Sequence, residues 1–139
     1  MVKKKFREMS YFISGQLTSD HYSSKNIFMT QFLILVRGSD HSVTSAEAMQ
    51  QRLAAFGEWV QKVLVDKYVA GAPLEEADAR LLRSKNEVLT DGPFLESKEM
   101  ISGYIIISAA DIKEAVELTK QCPLLGQFQL EVRRLKPMA

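Results

Sequence analysis

The residues best able to do chemistry gather around Asp91-Gly92-Pro93-Phe94. Gly92 and Pro93 make a fixed corner, because Pro93 locks its own φ and Gly92 tolerates the geometry a proline imposes on its predecessor. Asp91 cannot bond the second residue after it, since Pro93 has no N–H. Its carboxylate must turn to the Phe94 N–H, or outward to a ligand. A free carboxylate held by a rigid loop suits a general base or a polar ligand contact. The competing reading is that Asp91 stabilises its own turn. Phe94 is an apolar anchor just past the corner. Tyr104 could donate a hydrogen bond to a bound oxygen, Trp59 could stack on a flat molecule, and Arg37 supplies a cation. With Asp91, these three are expected to line a cleft between sheet and helix. Tyr104 and Trp59 also read as core aromatics, and Glu96, Lys98 and Glu99 as a solvated charged face.

Other chemistries are poorly supported. With two histidines and one cysteine in the chain, no convergent set of metal ligands is visible. No glycine-rich phosphate loop or other cofactor signature is present. Asp40 and His41 are adjacent, so they could work as a base and its orienter only in a loop. Cys122 falls at the C-terminal end of a helical stretch, where the dipole disfavours a thiolate, and reads as a packing residue. A net charge of +1 gives no basic excess for nucleic acid. No apolar run is long enough to span a bilayer, and the single cysteine fits a reducing, cytoplasmic setting.

The elements that must position these residues begin at Thr30. Residues 1–28 lack periodicity, although they carry Phe6, Tyr11, Phe12, Tyr22 and Phe28. They read either as an extension, disordered or docked, or as a start placed before a true beginning at Met29. Residues 29–139 form one domain. Thr30–Arg37 is a strand whose centre, Phe32 to Val36, is apolar at every position, so both of its faces need cover. Thr44 and Glu47 form a capping box for a helix with the stripe Met49, Leu53, Phe56, Val60, Val63 and Leu64, and Trp59 flanks it. Tyr68 to Leu74 is extended, with Gly71 and Pro73 breaking it. Residues 79–82 and 87–90 are short arms around Ser84-Lys85-Asn86. A strand spans 101–108, and Asp111 with Glu114 caps a second helix with Ile112, Ala115, Val116 and Thr119 inside. Residues 127–135 alternate as a half-wet strand. This order predicts an α+β, ferredoxin-like split βαβ sandwich: an antiparallel sheet with two helices on one face.

The run Thr90 to Phe94, followed by Glu96, Lys98, Glu99 and Gly103-Tyr104, then Glu114-Ala115 and Cys122-Pro123, resembles the DGPF-type members of the YCII-related family. The resemblance implies a dimeric α/β barrel, in which two sheets face each other as a homodimer. The doubly apolar first strand asks independently for that second cover. It also implies either a non-catalytic small-molecule-binding or regulatory module, or an isomerase, dehydrochlorinase or cyclase with Asp91 as general base. DGPF domains are associated with extracytoplasmic-function sigma factors, which makes a sigma factor the implied regulatory partner. Some relatives have a reactive histidine on the first helix. This sequence has no histidine after His41, which favours the non-catalytic reading.

Overall fold

The computed structural model describes residues 29–39, 45–75, 77–90 and 100–138. Among the described residues, six strands and two α-helices follow in the order β1 (Thr30–Arg37), α1 (Ala46–Glu58), β2 (Tyr68–Pro73), β3 (Leu81–Ser84), β4 (Glu87–Leu89), β5 (Ile101–Ala109), α2 (Ile112–Lys120) and β6 (Gln129–Arg134). A four-stranded sheet has the order β2-β5-β1-β6, and every pairing in it is antiparallel. β1 and β2 therefore run parallel with β5 between them, and β5 and β6 run parallel with β1 between them. These are the two split βαβ units the sequence predicts, each crossing through one helix.

Both helices cover the same face. Phe32, Ile34 and Val36 of β1 and Ile105 and Ile107 of β5 form one core with Trp59, Val60 and Leu64 from the first crossover and Ala115, Leu118 and Cys122 from the second. The alternate residues Leu33, Leu35, Tyr104 and Ile106 point to the other face, and all are only half-buried. Among the described residues, no helix is long and apolar enough to cross a membrane.

Three local readings need correction. The N-cap of α1 is Ser45, whose hydroxyl accepts from Ala48 N–H at 3.1 Å; Thr44 lies outside the described residues. Trp59 does not flank a stripe but is buried. α1 widens at Glu58 into a π-helical turn, Trp59–Leu64, closed by Val65 N–H on Val60 O at 3.0 Å. Trp59 opens this turn, and its own N–H still bonds Ala55 O and Phe56 O in the α-helix before it. In α2 the inner residues are Ala115, Leu118 and Thr119, whereas Ile112 is 48% exposed.

Asp111 caps α2 as expected, its carboxylate accepting from Glu114 N–H at 2.8 Å. Glu114 reaches back to the Ala110 N–H at 2.7 Å, one residue before the cap, and pairs with Lys67. This clamp joins the turn before β2 to the start of α2. The Lys67 hydrogen bond, aided by that of Ala110, holds the Glu114 carboxyl below its ordinary value. A depressed carboxyl contributes stability above its unfolded-state value and loses it as pH falls through the folded one. The loss should therefore begin as pH drops below 4.5. Glu114→Gln is expected to flatten the acid side of a Tm-against-pH curve; an unchanged slope would remove the clamp from the account.

β2 continues through Gly71 and Pro73, which the sequence reads as breaks. It is an edge strand, and Pro73 closes it where a missing N–H is tolerated. The arms around Lys85-Asn86 are a separate two-stranded ribbon, β3–β4, inserted between β2 and β5.

Candidate functional site

The face of the sheet away from the helices carries a cavity of about 460 Å³. It is lined by Leu33 and Leu35 of β1, by Ile101 and Tyr104 of β5 with Met100 just before it, and by Leu74, Glu75 and Ala79 from the segment between β2 and β3. The strand order explains the convergence. Leu35 sits opposite Tyr104 across the β1–β5 pair, and Ala72 sits opposite Tyr104 across β2–β5. Such a site can hold a largely apolar molecule, with the Tyr104 phenol and the Glu75 carboxylate as the polar groups of its lining.

The loop after β1 is fixed beside this cavity. Gly38 adopts φ 110, in the region that favours glycine. Its N–H donates to Met100 O at 2.8 Å, and Ser102 Oγ donates to Gly38 O. Arg37 therefore stands opposite Ile101, a cavity residue. Its guanidinium is half-exposed and lies 3.4 Å from Glu131 on β6.

Of the residues proposed from sequence, the structure places Tyr104 in the cavity wall and Arg37 beside it. Trp59 it places elsewhere: among the core residues on the helix-covered side, with its indole N–H donating to Leu118 O at 3.0 Å. Trp59 is thus a core aromatic, and the cavity lies on the sheet face away from the described helices rather than between sheet and helix. Asp91, Phe94, Glu96, Lys98 and Glu99 lie outside the described residues, as do Asp40 and His41.

Sequence reasoning missed Leu74, Met100 and Ile101 as site residues. It named Leu33 and Leu35 only as a face needing cover. It also passed over Tyr68, which is buried on β2. Burial, with the neighbouring Tyr104 second, pushes the Tyr68 phenol up to about 12, so it stays a neutral phenol at physiological pH. Cys122 is buried, and desolvation raises its thiol to about 11, which leaves it a packing residue. Among the described residues, no group of three His, Cys, Asp or Glu side chains could hold a metal ion.

Residues 30–139 match the family model described as the YCII-related domain. No curated protein matches the sequence.

Proposed function

The chain belongs to the YCII-related family, and from that premise we propose that it is a DGPF-type small-molecule-binding or regulatory module, cytoplasmic and working as a homodimer. The observation that carries this reading is the largely apolar cavity on the sheet face away from the described helices, with Tyr104 and Glu75 as the polar residues of its lining. Its lining suits an apolar or aromatic molecule bearing one hydrogen-bond acceptor for the phenol. Met100 lines the cavity and directly follows the 91–99 stretch, which supports Asp91 and Phe94 as further contacts. Arg37 is a rim residue in this reading. A sigma factor is the regulatory partner that the family resemblance suggests.

The homodimer reading rests on Leu33, Leu35 and Ile106, which face no element of their own chain's helical layer. Fully burying such a side chain contributes about 1.5–3 kcal/mol. Pairing of two such faces would enclose each cavity between two sheets. Light scattering at micromolar concentration tests this part, and a monomer would overturn it.

The binding reading is tested with prodan, a neutral bicyclic naphthyl ketone whose fluorescence responds to an apolar site. Saturable binding is expected. Tyr104→Phe should weaken it roughly three- to tenfold, the range for one lost hydrogen bond. Absence of saturable binding, or equal affinity in the variant, would overturn the role of Tyr104 and its cavity. The enzyme reading would replace this one if a substrate were turned over by the wild type and not by Asp91→Asn.

A further inference from the structure

The described lining of the cavity holds one carboxylate, Glu75, and one aromatic ring, Tyr104, among aliphatic and thioether side chains, and it includes no Lys, Arg or His. A site built mostly of hydrocarbon orients its ligand through the few polar groups it keeps. The carboxylate only accepts, so it favours a donor on the ligand, best a positively charged one. It disfavours a ligand carboxylate by like-charge repulsion. Tyr104 works in the same direction. The face of its ring is the negative side of the aromatic quadrupole and attracts an ammonium placed within about 6 Å of the centroid.

The charges around the lining agree with this. Arg37 stands opposite the cavity residue Ile101, but its guanidinium lies 3.4 Å from Glu131. Glu131 is on β6, which borders β1 on the side away from β5 and Tyr104. The Arg37 charge is thus met by an acid on the far side of β1. Arg80 donates to Ala79 O at 2.9 Å. In the sequence it is outnumbered by Glu75, Glu76 and Asp78, so the segment that carries Glu75 is acidic on balance. Glu75 makes a contact of its own within the chain. A carboxylate has about four acceptor positions, so an ammonium can join that contact without replacing it. Glu75 is also exposed. It can meet a ligand cation where water still reaches both groups, which avoids most of the desolvation cost of a buried pair.

We infer that the cavity takes an amine: a small molecule with an apolar or aromatic body and a positively charged nitrogen, the nitrogen meeting the Glu75 carboxylate and the Tyr104 ring. Glu75 is the residue that sets this specificity. The inference rests on the binding reading above and adds to it the charge of the ligand.

The test displaces prodan from the full-length chain with three compounds of one skeleton: 4-phenylbutylamine, 4-phenylbutanol and 4-phenylbutyrate, which are cationic, neutral and anionic at neutral pH. The amine should displace prodan at a concentration at least about threefold lower than the alcohol, and the butyrate should be the weakest of the three. Higher ionic strength should narrow the difference. Glu75→Gln should weaken the amine at least about threefold and leave the alcohol and prodan itself unchanged, which also reports that the cavity is intact. Glu75→Asp should retain part of the preference. An alcohol that matches or outcompetes the amine overturns the inference and leaves the prodan site standing. So does an amine preference that survives unchanged in Glu75→Gln. Absence of saturable prodan binding overturns the cavity reading and this inference with it.

Discussion

Trp59→Ala is expected to lower the unfolding free energy by about 3–5 kcal/mol, measured by urea denaturation followed by circular dichroism. The effect has two sources. The first is the cavity left in a core where Trp59 is 2% exposed and packs against Val60, Leu64 and the strand residues beneath. The second is the bond from the indole N–H to Leu118 O, which fastens the first crossover to the end of α2. Its ring also meets Phe56 with centroids 5.6 Å apart and tilted by 56°, a favourable aromatic geometry. Trp59→Phe separates the terms. It keeps most of the apolar bulk and removes the donor, so it should cost about 1–2 kcal/mol. Leu118 O keeps a second donor, Gln121 N–H at 3.3 Å, which holds that figure down. A Trp59→Ala loss below about 1 kcal/mol would return Trp59 to the role of a peripheral residue.

Trp59 also shows where the sequence stops being legible. Local periodicity of 3.6 places it beside the apolar stripe, and no residue nearby announces the π turn that begins at it. The turn is visible only in the hydrogen bonds. Ser45 and Thr44 differ by one place, and the capping-box rule selects Thr44 because Glu47 follows it by three; helix ends read from pattern alone carry that ambiguity. Gly71 and Pro73 read as breaks because propensity is local, whereas their tolerance depends on β2 lying at the sheet edge, a fact of topology. By contrast, the extent of β1 and its helix-covered face are legible. Its apolar residues occupy both alternation classes, and the structure buries Phe32, Ile34 and Val36 under helices while leaving Leu33 and Leu35 on the open face. The candidate site was legible only at Tyr104 and its neighbour Arg37. The cavity is assembled from segments far apart in the chain, through the order β2-β5-β1, which no single stretch encodes.

Gly71→Val is expected to cost about 2–3 kcal/mol and to disturb the site as well as the fold. A Cβ at Gly71 would come within 2.9 Å of Tyr104 O, 3.1 Å of the Tyr68 hydroxyl and 3.4 Å of Ile105 Cα. The first and last of these belong to the backbone of β5. That strand cannot yield easily, because it is hydrogen-bonded to β2 on one side and β1 on the other. Relief must come from β2, which is at the edge and can tilt away. Tilting would draw Ala72 from Tyr104 and move Leu74, so both sides of the cavity would shift relative to each other. Prodan affinity should therefore fall along with Tm, at roughly 3–5 °C for each kcal/mol in a domain of this size. Gly71→Ala should show the same pair of effects in smaller measure. Gly126→Ala is the contrasting substitution. Gly126 has φ +103 with nothing within 4 Å of a built Cβ, so its cost is local backbone strain and should leave prodan binding unchanged. A Gly71→Val protein with wild-type Tm would show that β2 and β5 do not meet as closely as these distances require. One that loses stability yet binds prodan normally would detach the cavity from the β2–β5 approach.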